Sequence, residues 1–203
     1  MTDPLEVHRG HWRLFGVACL AAVVAACIAV DALPGARFDR GPHIRAVRAK
    51  ADAFVSGANM NRNFGAAPDL RVDASPTFRA FVRFNIDVRS GNVQRVSLLL
   101  YSRTRSRRGY QVRLVEEPWL ERKITFLNAP SLSPMFILSG PLKARSWKAV
   151  DVTSIVEEAG GGDDSVSFAL TTRSQNAVEL SSREAGLHGP RLVVERDGRD
   201  RDD

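Results

Sequence analysis

Arg79, Phe81 and Arg83 alternate along one short stretch of this chain, with Arg71 and Asp73 shortly before it and Trp119 further on, behind Pro118. A guanidinium can bond two carboxylate oxygens at once. A flat aromatic face can stack on the apolar side of a sugar ring. Together these residue types suit an anionic sugar, with Arg71, Arg79, Phe81, Arg83 and Trp119 as the candidate contacts. The competing account is an internal ion-pair network of Arg71, Asp73 and Arg83. Trp119, in a loop, is expected to be an exposed platform; Trp147 begins a strand and is expected in the core. Arg103, Arg105, Arg107 and Arg108 crowd a hairpin tip, a solvated turn that would also attract polyanions without specificity.

Other chemistry has less support. Hard oxygen ligands for a structural calcium exist at Asp52, Asp73, Asp151 and Glu184, of which Asp52 and Asp151 are the candidate pair. Their spacing resembles no calcium loop. No other cofactor is expected. His8 and His11 stand near the N-terminus, His43 in a polar stretch, and His188 alone in the folded part, between glycines. One histidine with no nucleophile beside it makes no triad. There is no glycine loop to cradle phosphate and no Cys or His metal cluster, so no catalytic residue is assigned.

The elements that position these residues start with an address. Leu14 to Val30 is a run of 17 uncharged residues, preceded by Arg9 and Arg13 and closed by Asp31, Pro34 and Gly35. A basic start, an apolar centre and small residues at the exit describe an export signal. Three outcomes fit: cleavage after Ala32, lipidation at Cys27 in Val24-Ala25-Ala26-Cys27, or an uncleaved anchor, for which the run is just long enough at about 17–25 residues. Residues 1–32 are thus a signal peptide or membrane anchor, and the protein is expected to be secreted or tethered outside the cell membrane. Both cysteines, Cys19 and Cys27, lie inside the run, so no disulfide supports the rest. The chain carries a net charge of +6. For an exported protein this favours an anionic polysaccharide over nucleic acid, with the membrane met only through the N-terminal segment and the protein a monomer.

Residues 33–49 read as a polar linker. Beyond it the pattern is period two, with turn residues between short runs. Phe78 to Ile86 alternates: Phe78, Ala80, Val82, Phe84 and Ile86 share one face, Arg79, Phe81 and Arg83 the other. Val93 to Ser102 is a central strand and Tyr110 to Glu116 its antiparallel partner. Strands follow near Trp147, Val166, Val178 and Arg191, with one or two helical turns from Ser154. Residues 196–203 form a charged tail expected to be disordered. Eight or more short strands at this spacing predict a β-sandwich or barrel.

The same residues resemble a known family. Ala51-Asp52-Ala53-Phe54-Val55, Asn61-Arg62-Asn63-Phe64-Gly65 and Leu70-Arg71-Val72 look like the opening of a DNRLRE domain, also called carbohydrate-binding module family 96. Phe81-Val82-Arg83-Phe84-Asn85, Ile124-Thr125-Phe126, Trp147 to Thr153, Ser182-Arg183-Glu184 and Pro190 to Val194 continue the likeness in order over residues 50–195. Phe126 stands where the family usually has Trp, and Phe54 and Phe64 where Tyr is usual. The resemblance implies a jelly-roll-like antiparallel β-sandwich, all-β, behind an N-terminal apolar export or anchor helix. It further implies a non-catalytic module that binds polysaccharide, with acidic polysaccharides such as alginate reported within the family. Two alternatives stay open: a structural or adhesive surface domain that binds no sugar, and a small polysaccharide lyase or hydrolase.

Overall fold

The computed structural model describes residues 42–86, 93–158 and 165–197. The N-terminal export segment and residues 198–203 of the charged tail lie outside the described residues, while Arg196, expected in that tail, ends the last strand. What is described is mostly antiparallel β-structure. The strands are β1 (His43–Arg48), β2 (Ala51–Ser56), β3 (Asp69–Ala74), β4 (Thr77–Phe84), β5 (Val93–Ser102) and β6 (Gln111–Val115). They continue as β7 (Ile137–Leu138), β8 (Ser146–Asp151), β9 (Val166–Thr171), β10 (Val178–Ser181) and β11 (Arg191–Arg196). One short helix, α1 (Thr153–Glu158), and a 3-10 turn over Arg183–His188 complete it.

The strands form two layers. In the first, β5 pairs with β11 and, on its other side, with β8; β11 pairs with β1, and β10 with β3. In the second, β4 lies between β2 and β9, and β9 pairs with β6, which pairs with β7. β3 joins the layers, pairing β10 along its length and β4 through Asp73 and Ala74.

Period-two alternation explains the core. Val96, Leu98 and Leu100 of β5, Leu192 and Val194 of β11, and Leu180 of β10 point inward from the first layer. Ala80, Val82 and Phe84 of β4, Phe168 and Leu170 of β9, and Val112 and Leu114 of β6 meet them from the second. At about 25 cal/mol per Å² of apolar area, such burial is the main term holding a cysteine-free domain together.

The second layer is also covered on its outer face. Ala51, Ala53 and Val55 of β2, Phe81 of β4 and Ala169 of β9 form a second cluster with Val115, Trp119 and Ile124, flanked by Phe126, Ala129 and Leu132. The strap between β6 and β7 therefore lies across β2, β4 and β9. This is why all six residues of β2 are buried.

Two sequence expectations change here. His43–Arg48 is not linker but an edge strand, in register with β11 from His43↔Arg196 to Arg48↔Arg191. Its side chains are nearly all exposed, so it lacks the apolar alternation that reveals a strand. And β6 is not the partner of β5: the chain crosses from one layer to the other, where β6 pairs with β9.

Candidate functional site

The outer face of the first layer carries the only exposed tryptophan among the described residues. β8 is an edge strand held by β5 alone, in register at Tyr101↔Trp147. Val150 points inward, so Trp147 points out, with 39% of its surface exposed. The Tyr101 ring packs edge-on against it, centroids 5.5 Å apart at 76°. His188, at the end of the 3-10 turn, stacks on Tyr101 at 4.0 Å and 29°. Arg191 places its guanidinium 4.9 Å from the centre of the Trp147 ring and donates to the Leu187 carbonyl at 2.8 Å, which ties the turn down beside the shelf.

Next to these rings runs an open groove of about 580 Å³, lined among others by Tyr101, Arg103, Arg145, Glu179, Ser181 and His188. Arg145 sits in the turn before β8 with φ of 53°, a left-handed conformation uncommon outside glycine and asparagine. Tyr101 and His188 thus present flat faces, Arg103, Arg145 and Arg191 present charge, and Ser181 and Glu179 present acceptors. This is the residue mix that recognises a sugar: apolar planes for ring faces and a few convergent polar groups for orientation.

The residues singled out from the sequence are placed differently. Phe81 is fully buried and Trp119 is 5% exposed. Neither is a platform, because the strap folds over Phe81 and turns its own Trp119 inward. Trp119 packs on Phe81 at 5.9 Å and donates its indole N–H to Ser167 Oγ. Arg83 lies over the Trp119 ring and donates to the Trp119 carbonyl at 2.9 Å, so it anchors the strap from beneath. Arg79 rests on Phe126, 5.3 Å from the ring centre. Arg71 lies on neither of those strands: its Nε bonds Asp69 at 2.8 Å, and it stands opposite Glu179 on the first layer. The expected patch is therefore split between two layers.

Trp147, expected in the core, is instead the exposed ring. Sequence reasoning also passed over Tyr101, and weighed His188 only as a catalytic residue. The glycines around His188, Gly186 at φ of 64° and Gly189, were the available signal that a tight turn presents that ring.

Asp52 and Asp151 do not meet. Asp151 caps Thr153, accepting from its hydroxyl at 2.6 Å. Asp52 instead neighbours Glu121 and Glu184, the three offering oxygens within 4.8 Å of one another. Those oxygens already have partners. Arg183 Nε lies 2.8 Å from Glu121 and 3.1 Å from Glu184, the Arg183 backbone N–H donates to Asp52 at 2.7 Å, and the Asp52 N–H donates to Glu121 at 2.9 Å. A guanidinium at the centre of a donor set does not fit a calcium there. Burial pushes the Asp52 carboxyl up to about 7, helped by Glu184 and Glu121, which is opposite to what a cation ligand needs.

The family's opening motif acts in the same region. Asn63 donates from Nδ2 to the carbonyls of Glu121 and Ile124, each at 2.7 Å, and Phe64 stacks on Phe54 at 4.3 Å. A side chain at Gly65 would strike the Glu121 carbonyl. These residues hold the strap.

The model of carbohydrate-binding module family 96 matches residues 43–196. The chain belongs to this family. Its match runs from β1 through β11, so the module spans both layers and includes the edge strand. No curated protein matches the sequence. The family assignment makes this a carbohydrate-binding module, a class that is in general non-catalytic, with a polysaccharide as its partner.

Proposed function

We propose that this module is a non-catalytic binder of acidic polysaccharide and that the polymer lies along the groove beside Trp147. The observation that carries the reading is the Tyr101–Trp147–His188 cluster, three aromatic rings gathered on one exposed face. Arg103, Arg145 and Arg191 surround it with three guanidiniums, against one carboxylate, Glu179, in the lining. Uronate carboxylates are planar acceptors that such a fork bonds in pairs. Sugar rings stack on Trp147 and His188 while their carboxylates meet the arginines. The proposal places the protein outside the cytoplasm, on the strength of the apolar run 14–30.

Affinity electrophoresis of the full chain through gels containing alginate, pectin, xylan or no polymer tests this. Retardation is expected in the two uronate gels, stronger at low salt, and reduced about tenfold in affinity by Trp147→Ala. Equal mobility in all four gels sinks the proposal.

A further inference from the structure

A second groove, of about 490 Å³, opens on the other layer, and its lining includes Asp73, Arg79, Gln111, Arg113, Thr172 and Arg173. Arg79, Arg113 and Arg173 come from neighbouring strands. Arg79 projects from the outer face of β4 and Arg113 from the outer face of β6, while Arg173 follows β9, which lies between them. The strap that covers the rest of this face borders the groove, with Leu132 in its lining and Phe126, Ser133 and Pro134 against Arg79 and Arg113.

Arg113 is fixed in place by neutral groups alone. It donates to the carbonyls of Ser133 at 2.8 Å and Pro134 at 2.9 Å, to Gln111 Oε1 at 3.0 Å and to Thr171 Oγ1 at 3.4 Å. Its guanidinium also lies 4.8 Å from the Phe136 ring centre. Arg79 is held over Phe126 in the same neutral manner. Among the described residues none of the three arginines forms an ion pair. Asp73, the one carboxylate in the lining, spends Oδ1 on the Ser75 N–H at 3.2 Å. Burial and the nearby charge of Arg173 both press on the Arg113 cation. Three positive charges thus gather around a single carboxylate, Asp73, with Arg79 and Arg113 held in place, and the excess positive charge is a cost that a bound anion would relieve.

We infer that this groove is a second glycan subsite, which takes the carboxylate of an acidic sugar between Arg79, Arg113 and Arg173. It lies on the opposite layer from Trp147 and does not depend on the aromatic groove. One polymer reaching both sites, or two polymers bridged, would bind with higher avidity than either groove alone.

The test reads the arginine Nε–H NMR resonances of the full chain during titration with an oligogalacturonate, a neutral xylo-oligosaccharide, or sodium sulfate at matched ionic strength. The resonances of Arg79, Arg113 and Arg173 are expected to move with the oligogalacturonate only, and to move equally in a Trp147→Ala variant. Arg173 is exposed, so Arg173→Gln should leave the melting temperature unchanged and weaken this site about tenfold. Resonances that stay still in the oligogalacturonate, or follow sulfate just as far, overturn the inference. Loss of the Trp147 response with these shifts intact would instead count against the aromatic groove.

Discussion

Asp52 stands at the start of β2 with its carboxylate turned towards the Arg183 backbone and away from water. Three acids and one guanidinium share that corner, and each has a structural use: Glu121 holds the strap, Glu184 and Arg183 hold the 3-10 turn, and Asp52 joins both to the sheet. The turn carries His188, so this corner also sets the position of a ring in the groove. Burial keeps a proton on Asp52 up to about pH 7, whereas the unfolded carboxyl releases it near 3.8. The native state therefore binds more protons in that window, and stability falls as pH rises through it. The contribution is complete below the unfolded value and is lost as pH passes the native one. Asp52→Asn should remove this dependence. Guanidinium denaturation at about pH 5 and about pH 8 should show the variant gaining on the wild type at the higher pH; parallel losses in both proteins would contradict the assignment.

At the scale of elements, the strap between β6 and β7 is the feature that most changes the reading of the surface. Alternation in Phe78 to Ile86 correctly separates the two faces of β4, since Ala80, Val82 and Phe84 enter the core and Arg79, Phe81 and Arg83 leave it. It cannot say that a loop covers the second face, because an irregular segment has no period. Hence Phe81 and Trp119 were legible as neighbours in chemistry but not as buried. Trp147 is the converse. On an edge strand, Trp147 and Ala149 face out while Lys148 and Val150 share the inner side, so apolarity misleads about direction. β1 was illegible for a related reason, being a solvent-facing edge strand that is stabilised by backbone pairing to β11. The family motif, by contrast, was legible as a motif, and the structure supplies its use: Asn63 and Gly65 clamp the strap. Two substitutions follow. Gly65→Ala should push the strap at Glu121 away from the segment between β2 and β3, lowering the melting temperature and speeding amide exchange through residues 119–126. Phe81→Ala should cost about 3–5 kcal/mol by opening a cavity under Trp119, measured by denaturant unfolding, yet leave binding at the Trp147 groove intact below the transition. Loss of binding in the folded variant would contradict a site on the other layer.

For the whole molecule, the sandwich has two outer faces with different coverings. The strap seals most of one and leaves an arginine groove at its end. The other is open and gathers Tyr101, Trp147 and His188 from β5, β8 and the turn after β10. The all-β class and most strands follow from period two and turn spacing, because each strand buries one row of side chains. Which strands become neighbours depends on long-range pairing, as when β6 leaves β5 for β9, and so does the identity of the exposed rings. Fluorescence offers the most direct test of the site. Trp119 is buried while Trp147 is exposed, so a sugar stacking on Trp147 should shift emission to the blue as an oligogalacturonate is added. The shift should persist in Trp119→Phe and vanish in Trp147→Phe. Binding detected by calorimetry with no change at Trp147 would contradict the account, for the polymer would then lie elsewhere on the module.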